Sequence, residues 1–151
     1  MLVKTTSNEY PVKGSEQAAG YDIKISRFLE QTENKVVIET DLDIELPSPD
    51  SIKTEKGNYL NFEYVAQVYP RSGISKHGWI LGNCIGVIDA DYRGTIKATF
   101  YKVSDNPFPY AENDRFAQLI FSLALKTSFV KVDKLSDTMR GIGGFGHTGN
   151  R

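Results

Sequence analysis

The sequence predicts an all-β domain. Three observations carry that reading. Apolar and polar residues alternate with period two in several short stretches, turn-forming clusters separate those stretches, and no apolar stripe of helical period runs over three turns. Many short strands with regular turn signals correspond to a sandwich, a jelly roll or a small barrel.

Taken in chain order, KVVIETDLDIELP alternates from Ile38 through Thr40, Leu42, Ile44 and Leu46, with acidic or polar residues between, and is expected to form a half-buried strand. YLNFEYVAQVYP places Leu60, Phe62, Tyr64, Ala66 and Val68 on one face. One short helical turn follows RSG, at Ile74 to His77. TIKATFYKV puts Ile96, Ala98 and Phe100 together. FAQLIFSLAL and SFVKVDKL, short and rich in β-branched or aromatic residues, read as two further strands. The clusters PSPD, EKGN and SDNPFPYAEND are turns or loops. Composition shifts only near the end, where SDTMRGIGGFGHTGNR has too few apolar residues for a core layer. The expected organisation is one domain over residues 1–135 and a mobile glycine-rich arm over 136–151.

A chain of 151 residues is the size of one domain. It can bury roughly two-thirds of its unfolded surface. A net charge of -1 gives no field that would draw the molecule to DNA or a membrane. A polymeric nucleic-acid partner is therefore not expected, while a small nucleotide is compatible. The single cysteine, Cys84, excludes an intrachain disulfide and fits a reducing compartment; it is expected to be a small packed residue. MLVKTTSNEYPVK has no long apolar region of the kind a signal peptide needs, and no stretch approaches the length of a membrane span. The expected location is the cytoplasm, of a bacterial or of a virus-infected host cell.

The glycine-rich stretch GIGGFGHTG, residues 141–149, superficially matches a P-loop with His147 in place of its lysine. A P-loop follows a strand and opens a helix whose N-terminus holds the phosphate, and only three residues follow Thr148. What remains is a backbone nest able to cradle an anion. Four more short motifs precede it in order: AAGYDI (18–23), PRSGISKHG (70–78), GNCIGVIDADYRG (82–94) and DRFAQLIF (114–121). With RGIGGFGHTG (140–149) they make a set of five that resembles the motifs of the homotrimeric dUTPase family, dUTP diphosphatases, over nearly the whole chain.

That resemblance implies a jelly-roll-like fold of the dUTPase (β-clip) type, assembled as a homotrimer whose active sites are shared between subunits. It also implies Mg2+-dependent hydrolysis of dUTP to dUMP and pyrophosphate, which keeps uracil out of DNA and supplies the dTMP precursor. Asp89, by itself a hairpin-turn acid, would align and deprotonate the water that attacks the α-phosphorus. Asp91 is its competitor, because along a regular strand the two share a face; only the resemblance prefers Asp89. The Tyr92 ring would lie against the deoxyribose and leave no room for a 2′-hydroxyl. Asn83 and Gly86, Val87 and Ile88 would form an arm whose backbone matches uracil's donor–acceptor edge, with Lys97 also on the substrate. Mispairing with cytosine would leave buried polar groups unpaired.

In PRSG, otherwise an ordinary turn, Arg71 would supply a fork of donors, Ser72 a hydroxyl near the bridging oxygen, and Gly73 close backbone approach. Gln118, a polar residue in an apolar run, would face the α-phosphate. Asp22, by its neighbours a surface acid, would touch the metal through water; Mg2+ typically keeps several waters and binds substrate phosphates directly. Arg115 is expected to be structural, in a subunit interface, with Asp114 as a candidate partner. In the arm, Arg140 would meet the phosphates, Phe145 would stack on uracil, and Gly146, His147 and Thr148 would wrap the triphosphate. The family usually carries serine at the position of His147, so a ring N–H would donate in its place.

Two other functions compete. A dCTP deaminase shares this fold but needs a carboxylate on the strand after the hairpin, where GTIKATFYK offers Lys97 and no acid. A non-catalytic nucleotide sensor would keep the fold without the chemistry; Asp89, Tyr92, Gln118 and Phe145 together argue against that loss.

Overall fold

A computed structural model describes residues 2–144. Ten strands are formed: β1 (Val12–Lys13), β2 (Tyr21–Lys24), β3 (Arg27–Gln31), β4 (Lys35–Glu39), β5 (Asp50–Lys53), β6 (Tyr59–Pro70), β7 (Trp79–Leu81), β8 (Gly86–Ile88), β9 (Lys97–Lys102) and β10 (Arg115–Leu125). The one helical element among the described residues is a 3-10 turn, Ile74–His77, where the sequence places it. One sheet runs β1-β2-β10-β6-β5, with β8 also on β6; the other runs β3-β4-β9-β7. Every pairing is antiparallel.

The two sheets pack face to face because each presents its period-two apolar set inward. Ile23, Ala66, Val68 and Leu119 come from the first; Val36, Ile38, Leu81, Ala98 and Phe100 come from the second. Phe100 and Phe116, both fully buried, meet across the interface edge to face, with ring centroids 6.0 Å apart. Burial of each such ring contributes about 1.5–3 kcal/mol. A second aromatic knot surrounds Phe108, whose ring lies 5.1 Å from Trp79, 5.6 Å from Phe100 and 6.1 Å from Phe28. The Trp79 Nε1–H donates to the Asn106 carbonyl at 3.1 Å, so the loop over 104–113 is stitched to the body.

Two stretches depart from the sequence reading. The alternation Ile38, Thr40, Leu42, Ile44, Leu46 is buried throughout, yet the ladder stops at Glu39. The buried Thr40 hydroxyl donates to the Ile96 carbonyl at 2.9 Å and accepts from the Leu42 N–H at 3.1 Å. Around it the backbone still bonds across, Thr40 N–H to the Ile96 carbonyl at 3.0 Å and Ile96 N–H to the Leu42 carbonyl at 2.9 Å, and among the described residues an isolated Lys4–Glu45 bridge follows. SFVKVDKL forms no strand. β10 already has β2 on one flank and β6 on the other, and the chain leaves them after the Lys126 N–H bonds the Asn61 carbonyl at 2.9 Å. With no partner edge and no core face, Phe129, Val130, Val132 and Leu135 are exposed.

Candidate active site

Three neighbouring strand ends build a polar corner. β2 and β10 pair so that Asp22 stands opposite Gln118, and Tyr69 at the end of β6 stands opposite Gln118 on its other side. Arg115 precedes Gln118 by three positions, a spacing that in a regular strand turns two side chains to opposite faces. The register shifts between Arg115 and Ala117, and the extra residue of that bulge returns Arg115 to the face of Asp22 and Gln118. Arg115 Nη1 donates to Asp22 Oδ2 at 3.0 Å. Asp114, its candidate partner, instead accepts from the Ala111 N–H at 2.8 Å and caps its own turn.

Arg71 follows β6 directly. Its N–H bonds the Phe116 carbonyl at 3.2 Å, its Nη1 donates to the Arg115 carbonyl at 3.1 Å, and its Nε lies 3.7 Å from Asp22 Oδ1. The Asp22 carboxylate, 13% exposed, thus holds two guanidiniums side by side. Their remaining donors leave a cationic rim on which an anion would be bound. Ser72 and Gly73 continue the turn, with the Ser75 hydroxyl donating to the Ser72 carbonyl at 3.1 Å. The hydroxyl of Ser72 and the amide of Gln118 make no hydrogen bonds among the described residues. Sequence reasoning passed over Gly20, which presses on Gln118: a methyl group there would stand 2.5 Å from Gln118 Oε1. The signal was available in AAGYDI, one strand-pair away.

The hairpin carrying Asp89 is a separate unit. β8 pairs with β6 from Val68 to Ala66, and the chain then turns at Asp89–Tyr92, where the Tyr92 N–H bonds the Asp89 carbonyl at 3.1 Å. Asp89 and Asp91 lie in this turn rather than along a strand, so strand alternation does not relate them. The Tyr92 hydroxyl donates to the Thr95 carbonyl at 3.0 Å, and its ring seats over Gly94, where a methyl group would stand 2.4 Å from Tyr92 Oη. The ring is therefore held in place while 42% of the residue remains exposed. Cys84 is exposed, contrary to the packed position expected, because it sits at φ 59° in the tight turn between β7 and β8.

Asn83 and Lys97 line one cavity of about 390 Å³, with Gly82, Thr99 and Tyr101. Lys97 Nζ lies 3.2 Å from Glu39 Oε2. Arg27, then Lys97, hold the Glu39 carboxyl below the usual glutamate range.

One chain does not bring the two units together. Ile88 lies opposite Ala66 on one flank of β6, whereas Gln118 lies opposite Tyr69 on the other. Two strand spacings across and three residues along put their Cα atoms roughly 14 Å apart. Asp89 follows Ile88 in the direction leading away from Tyr69. Arg140 bonds within its own turn, Nε to the Gly143 carbonyl at 2.9 Å. Phe145, Gly146, His147 and Thr148 lie outside the described residues. Among the described residues no cluster of three or more His, Cys, Asp or Glu side chains could hold a metal ion.

The model of the dUTPase family matches residues 6–149. The chain belongs to the dUTPase family. Among curated relatives of this dUTPase-family chain, the probable deoxyuridine 5'-triphosphate nucleotidohydrolase of Schizosaccharomyces pombe is 39% identical over 141 residues, covering 92% of this chain and 89% of the relative. The deoxyuridine 5'-triphosphate nucleotidohydrolase of Actinobacillus pleuropneumoniae serotype 3 is 35% identical over 147 residues, 95% of this chain and 91% of the relative. Among solved structures, the dUTPase of Staphylococcus bacteriophage 80alpha with dUPNHPP superposes with a TM-score of 0.73 at 23% identity, covering 98% of this chain and 97% of that one. A mutant dUTPase from phage phi11 of S. aureus, described with a structural Mg(II) ion, has a TM-score of 0.65 at 19% identity, covering 90% and 98%. The two-sheet architecture is the jelly-roll-like fold of these dUTPases. No helix among the described residues is long and apolar enough to cross a membrane.

Proposed function

We propose that this dUTPase-family chain hydrolyses dUTP to dUMP and pyrophosphate, in a site completed between copies of the chain assembled as a homotrimer. The observation that carries the shared site is the separation just described. An anion-binding corner and a carboxylate hairpin, both intact, stand too far apart on one chain to act on one phosphorus atom.

In this reading Arg71, Ser72 and Gly73 take the phosphate chain and Gln118 donates to the α-phosphate. Asn83 and the backbone of Gly86, Val87 and Ile88 read the uracil edge, with Lys97 beside them. Tyr92 closes the space a ribose 2′-hydroxyl would need. Asp89 orients a water in line with the α-phosphorus and takes its proton as the new P–O bond forms. The bond from the α-phosphorus to the bridging oxygen breaks, and pyrophosphate leaves with that oxygen. Ser72 donates to the charge developing there. The arm over 136–151 covers a site, with Arg140 on the phosphates, Phe145 on the base, and Gly146, His147 and Thr148 around the triphosphate.

Asp22 is a single carboxylate already shared by two guanidiniums, a donor set unsuited to direct ligation. Asp22 would instead hold, through water, a Mg2+ ion brought with the triphosphate, which would supply neutralisation of phosphate charge. Such an enzyme limits uracil in DNA and supplies dUMP for dTMP synthesis, in the cytoplasm.

The test is incubation with dUTP, dCTP, dTTP and UTP plus Mg2+, following pyrophosphate and ammonia. Pyrophosphate from dUTP alone is expected, with kcat reduced at least about 10²-fold in Asp89→Asn. Ammonia from dCTP would move the assignment to a deaminase; binding of dUTP without turnover would make the chain a sensor.

A further inference from the structure

The loop over 104–113 has no part in the site as described, yet it delivers one side chain to it. Tyr110 is partly buried, and its hydroxyl faces Gly73: a methyl group on Gly73 would stand 3.8 Å from it. The Tyr110 ring stands edge-on to Phe108 at 5.7 Å and 80°. Phe108 is in turn locked among Trp79, Phe100 and Phe28. On the far side, Asn113 at φ 70° turns the chain, and its N–H bonds the Ile25 carbonyl at 2.8 Å. The Ala111 N–H is held by Asp114. The phenol is therefore fixed between two anchors.

Its hydroxyl makes no hydrogen bond among the described residues. A ring needed only for packing would do the same work as phenylalanine; the hydroxyl adds a donor that faces the Arg71–Gly73 turn. Burial pushes the phenol's pKa up, against the nearby charge of Arg71, so the group keeps its proton and can donate.

We propose that Tyr110 is a substrate-binding residue whose hydroxyl donates to the phosphate chain held by the Arg71–Gly73 turn, alongside Arg71 and Ser72. This rests on the dUTP reading above. It adds a further neutral donor beside Ser72 and Gln118, one that recognises phosphate oxygens and not the nucleoside.

The test is Tyr110→Phe in the full chain, which keeps the ring and its packing. Binding of the non-hydrolysable dUpNHpp and of deoxyuridine is measured by calorimetry, with dUTP kinetics beside them. Kd for dUpNHpp and KM for dUTP should rise about tenfold, as expected for loss of one hydrogen bond to a charged group. Kd for deoxyuridine, kcat and Tm should stay as in the parent. An unchanged Kd for dUpNHpp overturns the proposal, as does an equal loss for deoxyuridine, which would mark a purely structural effect. A parent chain that neither turns over dUTP nor binds dUpNHpp overturns the dUTP reading, and this proposal with it; turnover by the parent with a silent Tyr110→Phe overturns only the latter.

Discussion

Gly20 and Gln118 touch across the β2–β10 pairing, so closely that a methyl group on Gly20 would lie 2.5 Å from Gln118 Oε1 and 2.9 Å from its Cβ. The amide can swing away, but the Cβ moves only with β10. Gly20→Ala should therefore displace Gln118 and mimic its loss. We expect kcat/KM for dUTP to fall about tenfold or more, with a stability loss of about 1–3 kcal/mol from overpacking. Steady-state kinetics and urea melts of Gly20→Ala beside Gln118→Ala check this. Full activity in Gly20→Ala would show that the contact is slack.

Gly94 plays the same part for Tyr92. A side chain there would meet the phenol oxygen at 2.4 Å and Cζ at 2.7 Å, and would break the hydroxyl's bond to Thr95. If the seated ring is what excludes ribose, Gly94→Ala should narrow the preference for dUTP over UTP by about tenfold, chiefly by admitting UTP. Paired kcat/KM values for the two substrates give the answer, and an unaltered ratio would remove Tyr92 from sugar selection.

Arg115 connects Asp22 to Arg71 without facing the hairpin. Its truncation to alanine leaves the Asp22 carboxylate with Arg71 alone, at 3.7 Å. Arg71 should then close on Asp22 and withdraw from the phosphates. The expected signature is a KM for dUTP raised about tenfold, with stability lowered by about 1 kcal/mol. Arg115→Lys should recover stability better than KM, because one ammonium cannot reproduce the fork.

Three carboxyls have folded-state pKa values held below their ordinary ranges: Glu39 by Arg27 and then Lys97, Asp43 by the Thr6 hydroxyl and N–H, and Glu45 by Lys4. A depressed pKa contributes stability that is present above the unfolded value and lost as pH falls through the folded one. Stability should thus be level near neutrality and decline once pH drops through about 4 and below. Asp43 and Glu45 both tie the N-terminal segment to the body, so that segment should loosen over the same range. Thermal melts from neutral to acid pH, with Glu39→Gln for comparison, should show a shallower acid slope in the variant.

Much of this was legible in the sequence, and the remainder was hidden for identifiable reasons. Period-two burial from Ile38 to Leu46 and the turn at Ile74–His77 both follow from local spacing. The bulge beside Phe116 does not: Arg115 and Gln118 are three apart and read as opposite-facing until one extra residue is counted. SFVKVDKL has strand composition, but pairing depends on a free edge, which composition cannot report. Tyr110 sat in a loop whose only signals were proline and asparagine, and its proximity to Gly73 comes from an aromatic knot assembled from four separate segments.

The distance between Ile88 and Gln118 across β6 also bears on inheritance. In the proposed shared site, a lesion at Asp89 would spoil the hairpin a chain lends, whereas a lesion at Gln118 would spoil the corner it offers. Where sites form between copies, two such alleles expressed in one cell would complement, since mixed assemblies contain some junctions with neither defect. Alleles damaged in the same half would not. The map of complementing and non-complementing mutations would thus trace, without any crystallography, which residues belong to which side of the junction.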